Sequence, residues 1–122
     1  MLQEKIGVIG AGKIGAAIMR GIVRAGLAGK DQVMASDVSA QLRADVVKEL
    51  EIKATPDNGA LCDFADIVIL AVKPQIVDPV VKEIAKKLGS KRLLVSVAAG
   101  VPIARIEANL AHAARVVRVM PN

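Results

Sequence analysis

The sequence predicts an α/β domain in which a doubly wound, mostly parallel sheet lies between two helical layers, a three-layer α/β/α arrangement. Three observations carry this. Short β-branched runs alternate with segments of helical period along all 122 residues. One run, Ile67–Val72, is apolar at every position, as a strand covered on both faces has to be. The apolar set is almost wholly aliphatic, with Phe64 as the lone aromatic, which suits buried strands under helices. Strands alternating with helices at this spacing require crossovers and therefore parallel pairing. The length fits one core, because two would each be marginal, so residues 1–122 are expected to form one domain.

Ile6–Ile9, Val33–Ala35, Ile67–Val72, Leu93–Val97 and Val116–Met120 read as strands, with a weaker one at Ile52–Ala54. Between the first two, Ile14, Ala17, Ile18, Gly21, Ile22 and Ala25 recur as one stripe of a helix, and Gly26 offers its C-cap. Ala40–Leu50 and Pro79–Leu88 are the next helices. In the second, Asp78 suits the N-cap, Pro79 the first helical position, and Gly89 the terminator. Pro102–Leu110 repeats the proline-first pattern.

Composition narrows the function classes. Hydrophobic residues make up 53% and charged residues 24%, far from a disordered chain. The net charge is +5, but the Lys and Arg residues are scattered and have no aromatics beside them to stack bases, which argues against nucleic acid as a partner. Cys62 is the only cysteine and His112 the only histidine, so neither an intramolecular disulfide nor a metal site is expected. A reducing cytoplasm is the expected location. Met1–Lys5 is charged and leads into a short apolar run with no small-residue cleavage site, unlike a signal peptide. No stretch is long enough to cross a bilayer, so no membrane partner is expected. Cys62 reads as a small core residue rather than a reactive thiol, and His112 as a surface residue with no acid or nucleophile beside it.

Directly after the first strand comes Gly10-Ala11-Gly12-Lys13-Ile14-Gly15, which fits G-x-G-x-x-G and opens the first helix. Gly10 would permit the tight turn, Gly12 a close backbone approach to a pyrophosphate, and Gly15 close helix-to-strand packing. The helix N-terminus would face the anion. Strand, glycine loop and helix in this order point to a Rossmann-type fold that binds NADP or NAD.

The second strand ends at Ala35-Ser36-Asp37, with Asp37 about 20 residues past the last glycine, where a carboxylate holds the adenosine ribose. Asp37 alone argues for NAD. Ser36, Ser39 and Arg43 form a set able to receive a 2′-phosphate, which leaves the choice of cofactor open. Asp37 and Ser39 are also preferred N-caps for Ala40–Leu50. Pro74 stops the fourth strand and leaves Lys73 at the carboxyl edge of the sheet, where ligands bind. The fifth strand runs into Ser96-Val97-Ala98-Ala99-Gly100, a turn of small residues that admits a flat ring or serves tight packing.

Four segments in order, Ile6-Gly7-Val8-Ile9-Gly10-Ala11-Gly12-Lys13-Ile14-Gly15, Ala71-Val72-Lys73-Pro74-Gln75, Ser96-Val97-Ala98-Ala99-Gly100-Val101 and Arg118-Val119-Met120-Pro121-Asn122, resemble the N-terminal domain of pyrroline-5-carboxylate reductase across essentially the whole chain. The resemblance implies an NAD(P)H-dependent oxidoreductase of proline biosynthesis, homo-oligomeric at full length, that reduces the small-molecule imine 1-pyrroline-5-carboxylate to L-proline. By position it implies that Gly10, Ala11, Gly12, Lys13, Ile14 and Gly15 hold the pyrophosphate and that Ser36, Asp37 and Asn58 lie near the adenosine. Ala71, Val72, Lys73, Pro74, Ala98, Ala99, Gly100, Pro121 and Asn122 would then line the nicotinamide half.

Members of that family continue past Met-Pro-Asn into a helical domain that builds the dimer and much of the imine site. The resemblance therefore implies that these 122 residues bind cofactor without turnover, and it names no catalytic acid among them. Asp37 departs from what NADP favours, since a carboxylate repels a 2′-phosphate. Rival readings are a β-hydroxyacid dehydrogenase or deazaflavin-dependent NADP reductase, which share the glycine loop, and a non-catalytic NAD(H)-sensing module.

Overall fold

The β-branched runs form strands, and the amphipathic segments between them carry the chain back to the same end of the sheet. The computed structural model describes residues 2–110 and 115–119; His112, Met120, Pro121 and Asn122 lie outside the described residues. The strands are β1 (Ile6–Ile9), β2 (Val33–Ser36), β3 (Lys53–Thr55), β4 (Ile67–Leu70), β5 (Leu93–Ser96) and β6 (Arg115–Arg118). The helices are α1 (Lys13–Arg24), α2 (Ala40–Leu50), α3 (Asn58–Phe64), α4 (Val77–Leu88) and α5 (Ile103–Glu107). The strand order is β3-β2-β1-β4-β5-β6, and every pair is parallel. This is the doubly wound, Rossmann-type sheet the sequence predicts.

Side-chain alternation splits the interior into two layers. Ile6 and Val8 of β1 join Val33 and Ala35 of β2 under Met19 of α1 and Val46 and Leu50 of α2. On the opposite face, Ile9, Val68, Leu70 and Leu94 meet Leu61 of α3, Val81, Ile84 and Leu88 of α4, and Ile106 of α5. β4 contributes to both: Val68 and Leu70 belong to the second layer, while Ile67 and Ile69 pack against the first. Its uninterrupted apolar run is thus that of a central strand with helices on either side.

Some boundaries differ from those expected. α4 begins at Val77 with Ile76 at its N-cap, so Asp78 does not cap it and Pro79 sits deeper in the first turn. The Asp78 carboxylate instead receives Arg105 and Asn109, tying α4 to α5, and the Arg105 hydrogen bond holds its pKa below the usual carboxylate range. The last helix is Ile103–Glu107 with Pro102 at the N-cap, shorter than Pro102–Leu110. Ala25 is the C-cap of α1, and Gly26 follows it with φ 72°. β4 and β5 stop at Leu70 and Ser96, earlier than Val72 and Val97, because the chain turns there toward the next helix. α3 is missing from the periodicity because it is only 7 residues long and opens with Asp57, Asn58 and Gly59, which read as a turn.

Phe64 packs at the edge of the second layer, with the ammonium groups of Lys5 and Lys53 5.3 and 5.4 Å from its ring centroid, close enough for cation–π attraction. Cys62 is a free thiol, fully buried on α3, as a small core residue would be. Burial pushes its pKa up to about 11, so the reactive thiolate is scarce at neutral pH. A thiol reagent at about pH 8 is expected to leave Cys62 unmodified in the folded chain and to react only as urea unfolds it. Rapid labelling under native conditions would contradict this placement.

Candidate functional site

The sheet order places the functional residues. From β1 the chain winds outward through β2 and β3, then returns to lay β4 on the other side of β1. The loops leaving β1 and β4 therefore diverge, which opens a crevice at the strands' carboxyl ends.

The loop after β1 is shaped by its glycines. Gly10 has φ 105°, and a Cβ there would lie 2.5 Å from the Ala71 carbonyl oxygen, so the turn rests directly on the residue that follows β4. A Cβ at Gly15 would lie 1.8 Å from the Gly10 oxygen, so only glycine lets α1 start so close to the strand. Gly12 differs from both. It is the N-cap of α1 with ordinary φ −73° and no side-chain cap, and a Cβ there would meet nothing within 4 Å. The space above Gly12 belongs to the crevice, and the first-turn N–H groups of α1 have no intrahelical partners.

The crevice comprises two adjoining cavities of about 300 and 340 Å³ that share Gly12, Ala71, Val72 and Lys73. The first is lined further by Ile9, Gly10, Ser36, Asp37, Val38, Leu42, Asn58, Ile76 and Val80. The second adds Lys13, Ile14, Pro74, Val97 and Ala99, an apolar wall apart from the lysines. A dinucleotide needs this shape: a polar recess for a ribose, a flat apolar one for the other ring, and backbone between them for the phosphates.

Hydrogen bonds fix the polar end. The Asp37 carboxylate accepts the Ala11 N–H at 2.9 Å and the Ser39 N–H at 2.9 Å, joining the glycine loop to the start of α2. Ser39 is the N-cap, its hydroxyl oxygen accepting the Leu42 N–H; of the two candidate caps, the hydroxyl takes the role. Arg43 donates through Nη1 to the Asp37 and Val38 carbonyls. The buried Ser36 hydroxyl donates to Asn58 Oδ1 at 2.6 Å, and Asn58 Nδ2 donates to Glu83 Oε1 at 2.9 Å.

Of the site residues expected from sequence, Gly10, Gly12, Lys13, Ile14, Ser36, Asp37, Asn58, Ala71, Val72, Lys73, Pro74 and Ala99 line the two cavities. Ala11 is buried within the loop, and Ala98 is buried two residues past the end of β5. Gly15 packs against Gly10, and Gly100, with φ 72°, turns the chain toward α5. None of these four lines either cavity. Pro121 and Asn122 lie outside the described residues. Sequence reasoning missed most of the apolar lining: Val38, which is 91% exposed, with Ile9, Leu42, Ile76 and Val80; Val97 it placed only in the turn of small residues. The apolar surplus of Val38, wedged between Asp37 and Ser39, is the one local signal for any of them.

Residues 5–100 match the sequence model of the family described as NADP oxidoreductase coenzyme F420-dependent. The chain belongs to this family. The chain is similar to a pyrroline-5-carboxylate reductase of Methanosarcina acetivorans, 43% identical over 100% of the chain and 45% of that protein. The solved pyrroline-5-carboxylate reductase of Coxiella burnetii superimposes with a TM-score of 0.94 at 31% identity, covering 99% of this chain and 45% of its own. That of Plasmodium falciparum, solved with NADP bound, gives 0.87 at 30% identity, covering 100% and 44%. The chain thus spans less than half the length of these relatives.

The two interlocking glycines and the bare one predict different failures. Gly15→Ala should lower stability by about 1–3 kcal/mol or more, since α1 has to move off the Gly10 carbonyl. Gly12→Ala should cost no more than about 1 kcal/mol, the loss at an N-cap. Urea unfolding of both variants measures the difference, and equal losses would contradict the open space at Gly12.

Proposed function

We propose that this chain is the cofactor-binding part of a pyrroline-5-carboxylate reductase, holding NADPH or NADH for the reduction of 1-pyrroline-5-carboxylate to L-proline. The observation that carries the cofactor reading is Gly12. Neither its backbone angles nor its neighbours require glycine, yet it stands bare where both cavities meet, as a residue does when a ligand's phosphates cross its backbone. The imine comes from the relatives, whose match covers the full length of this chain.

Bound in this crevice, the nicotinamide would supply a hydride to the imine carbon while a proton goes to the imine nitrogen, converting C=N to CH–NH. This chain's part is binding and orientation. The amides at the start of α1 would take the pyrophosphate, with Lys13 and Lys73 offsetting its charge. Asp37 and Asn58 would flank the adenosine ribose, while Ile14, Pro74, Val97 and Ala99 would bound the nicotinamide ring and keep water from one face. The residues that bind the imine and deliver the proton are assigned to the portion of the relatives beyond this match, so the 122 residues are expected to bind cofactor without turnover.

Titration of the chain with NADH and NADPH tests this reading. Saturable binding of at least one is expected, with Gly12→Ala losing it while remaining folded. Imine reduction by the isolated chain should stay at background. Binding of neither cofactor would overturn the cofactor reading, and turnover above background would overturn the division of labour.

A further inference from the structure

NADP differs from NAD by one phosphate on the adenosine ribose, which carries nearly two negative charges at neutral pH. Whether the polar end of the first cavity tolerates that charge deepens the reading above and rests on it. We propose that Asp37 makes this chain selective for NADH over NADPH.

Asp37 lines the first cavity, and its carboxylate cannot turn away from an approaching phosphate without breaking two hydrogen bonds, one oxygen holding the Ala11 N–H and the other the Ser39 N–H. Each oxygen keeps a lone pair for a ribose hydroxyl, and a hydroxyl donates where a phosphate at neutral pH is chiefly an acceptor. Of the three groups that could offset the carboxylate, one has spent its donor and two stand outside the cavity wall. Ser36 spends its proton on Asn58 and is fully buried. The Ser39 oxygen caps α2, and Arg43 lies on the Asp37 and Val38 carbonyls. Neither Ser39 nor Arg43 forms part of the cavity wall.

Charge beyond the wall has the same sign. Glu83 sits one hydrogen bond behind Asn58, so a second carboxylate backs this end of the cavity. Among the described residues, Lys73 is the cation that lines it, and it comes from the opposite turn and is shared with the second cavity, which places it toward the diphosphate bridge. A 2′-phosphate would therefore meet a pinned anion, with Arg43 held on backbone carbonyls outside the wall.

The test is the ratio of the NADPH and NADH dissociation constants, measured by titration of the 122-residue chain and of Asp37→Ser and Asp37→Asn. In the unsubstituted chain NADH should bind at least about tenfold more tightly, equivalent to about 1.4 kcal/mol. Both variants release backbone N–H groups and should weaken both cofactors, so the ratio and not either constant is the readout, taken where circular dichroism shows the fold retained. It should move toward NADPH by about tenfold in Asp37→Ser, and the preference of the unsubstituted chain should shrink as salt screens the repulsion. If the unsubstituted chain binds NADPH as tightly as NADH, or if a folded variant leaves the ratio unchanged, the selectivity is overturned while cofactor binding stands. If neither cofactor binds, the reading beneath it falls and takes this one with it.

Discussion

The contact on which the rest depends is the one between the turn leaving β1 and the residue leaving β4. Gly10 lies against the Ala71 carbonyl, and Gly15 lies against Gly10, so α1 begins almost on top of the sheet. Side chains at those two positions would push α1 outward and widen the crevice. The first-turn amides of α1 would then no longer converge with the β4 loop, and the two cavities would lose the backbone they share. Packing inside the chain sets the geometry of a surface that packing itself does not use.

The two ends of the crevice are built on different physics. At the first cavity the walls are cross-linked by polar contacts: Asp37 joins the glycine loop to α2, and the Ser36–Asn58–Glu83 series joins β2, α3 and α4. Hydrogen bonds are directional, so this end discriminates by position and sign. At the second cavity Ile14, Pro74, Val97 and Ala99 offer shape and little else, which suits a flat ring held by contact area and oriented by neighbouring backbone.

The fold was legible because its strongest signals are periodic and local. The all-apolar β4 run, the α1 stripe and the Ala40–Leu50 helix each contain enough repeats to stand above chance, and the glycine loop gains meaning from standing between strand and helix. Where signals were short or shared, reading failed. α3 hides behind a turn-like opening, and Asp78 looks like a cap but is drawn to Arg105, a partner 27 positions away that no local pattern reveals. At the site, residues named by motif were found, whereas Val38, Leu42, Ile76 and Val80 became wall residues only because separate elements converge there. Spacing likewise showed that Asp37, Ser39 and Arg43 are near one another but not which of them is already spoken for.

The aliphatic interior has an optical consequence. With no Trp or Tyr in the chain and its only phenyl ring close to two lysine ammonium groups at the edge of one layer, the protein is nearly transparent in the near ultraviolet. Light absorbed or emitted there by a reduced nicotinamide would report on that ring alone, with no indole to pass excitation to it or obscure it.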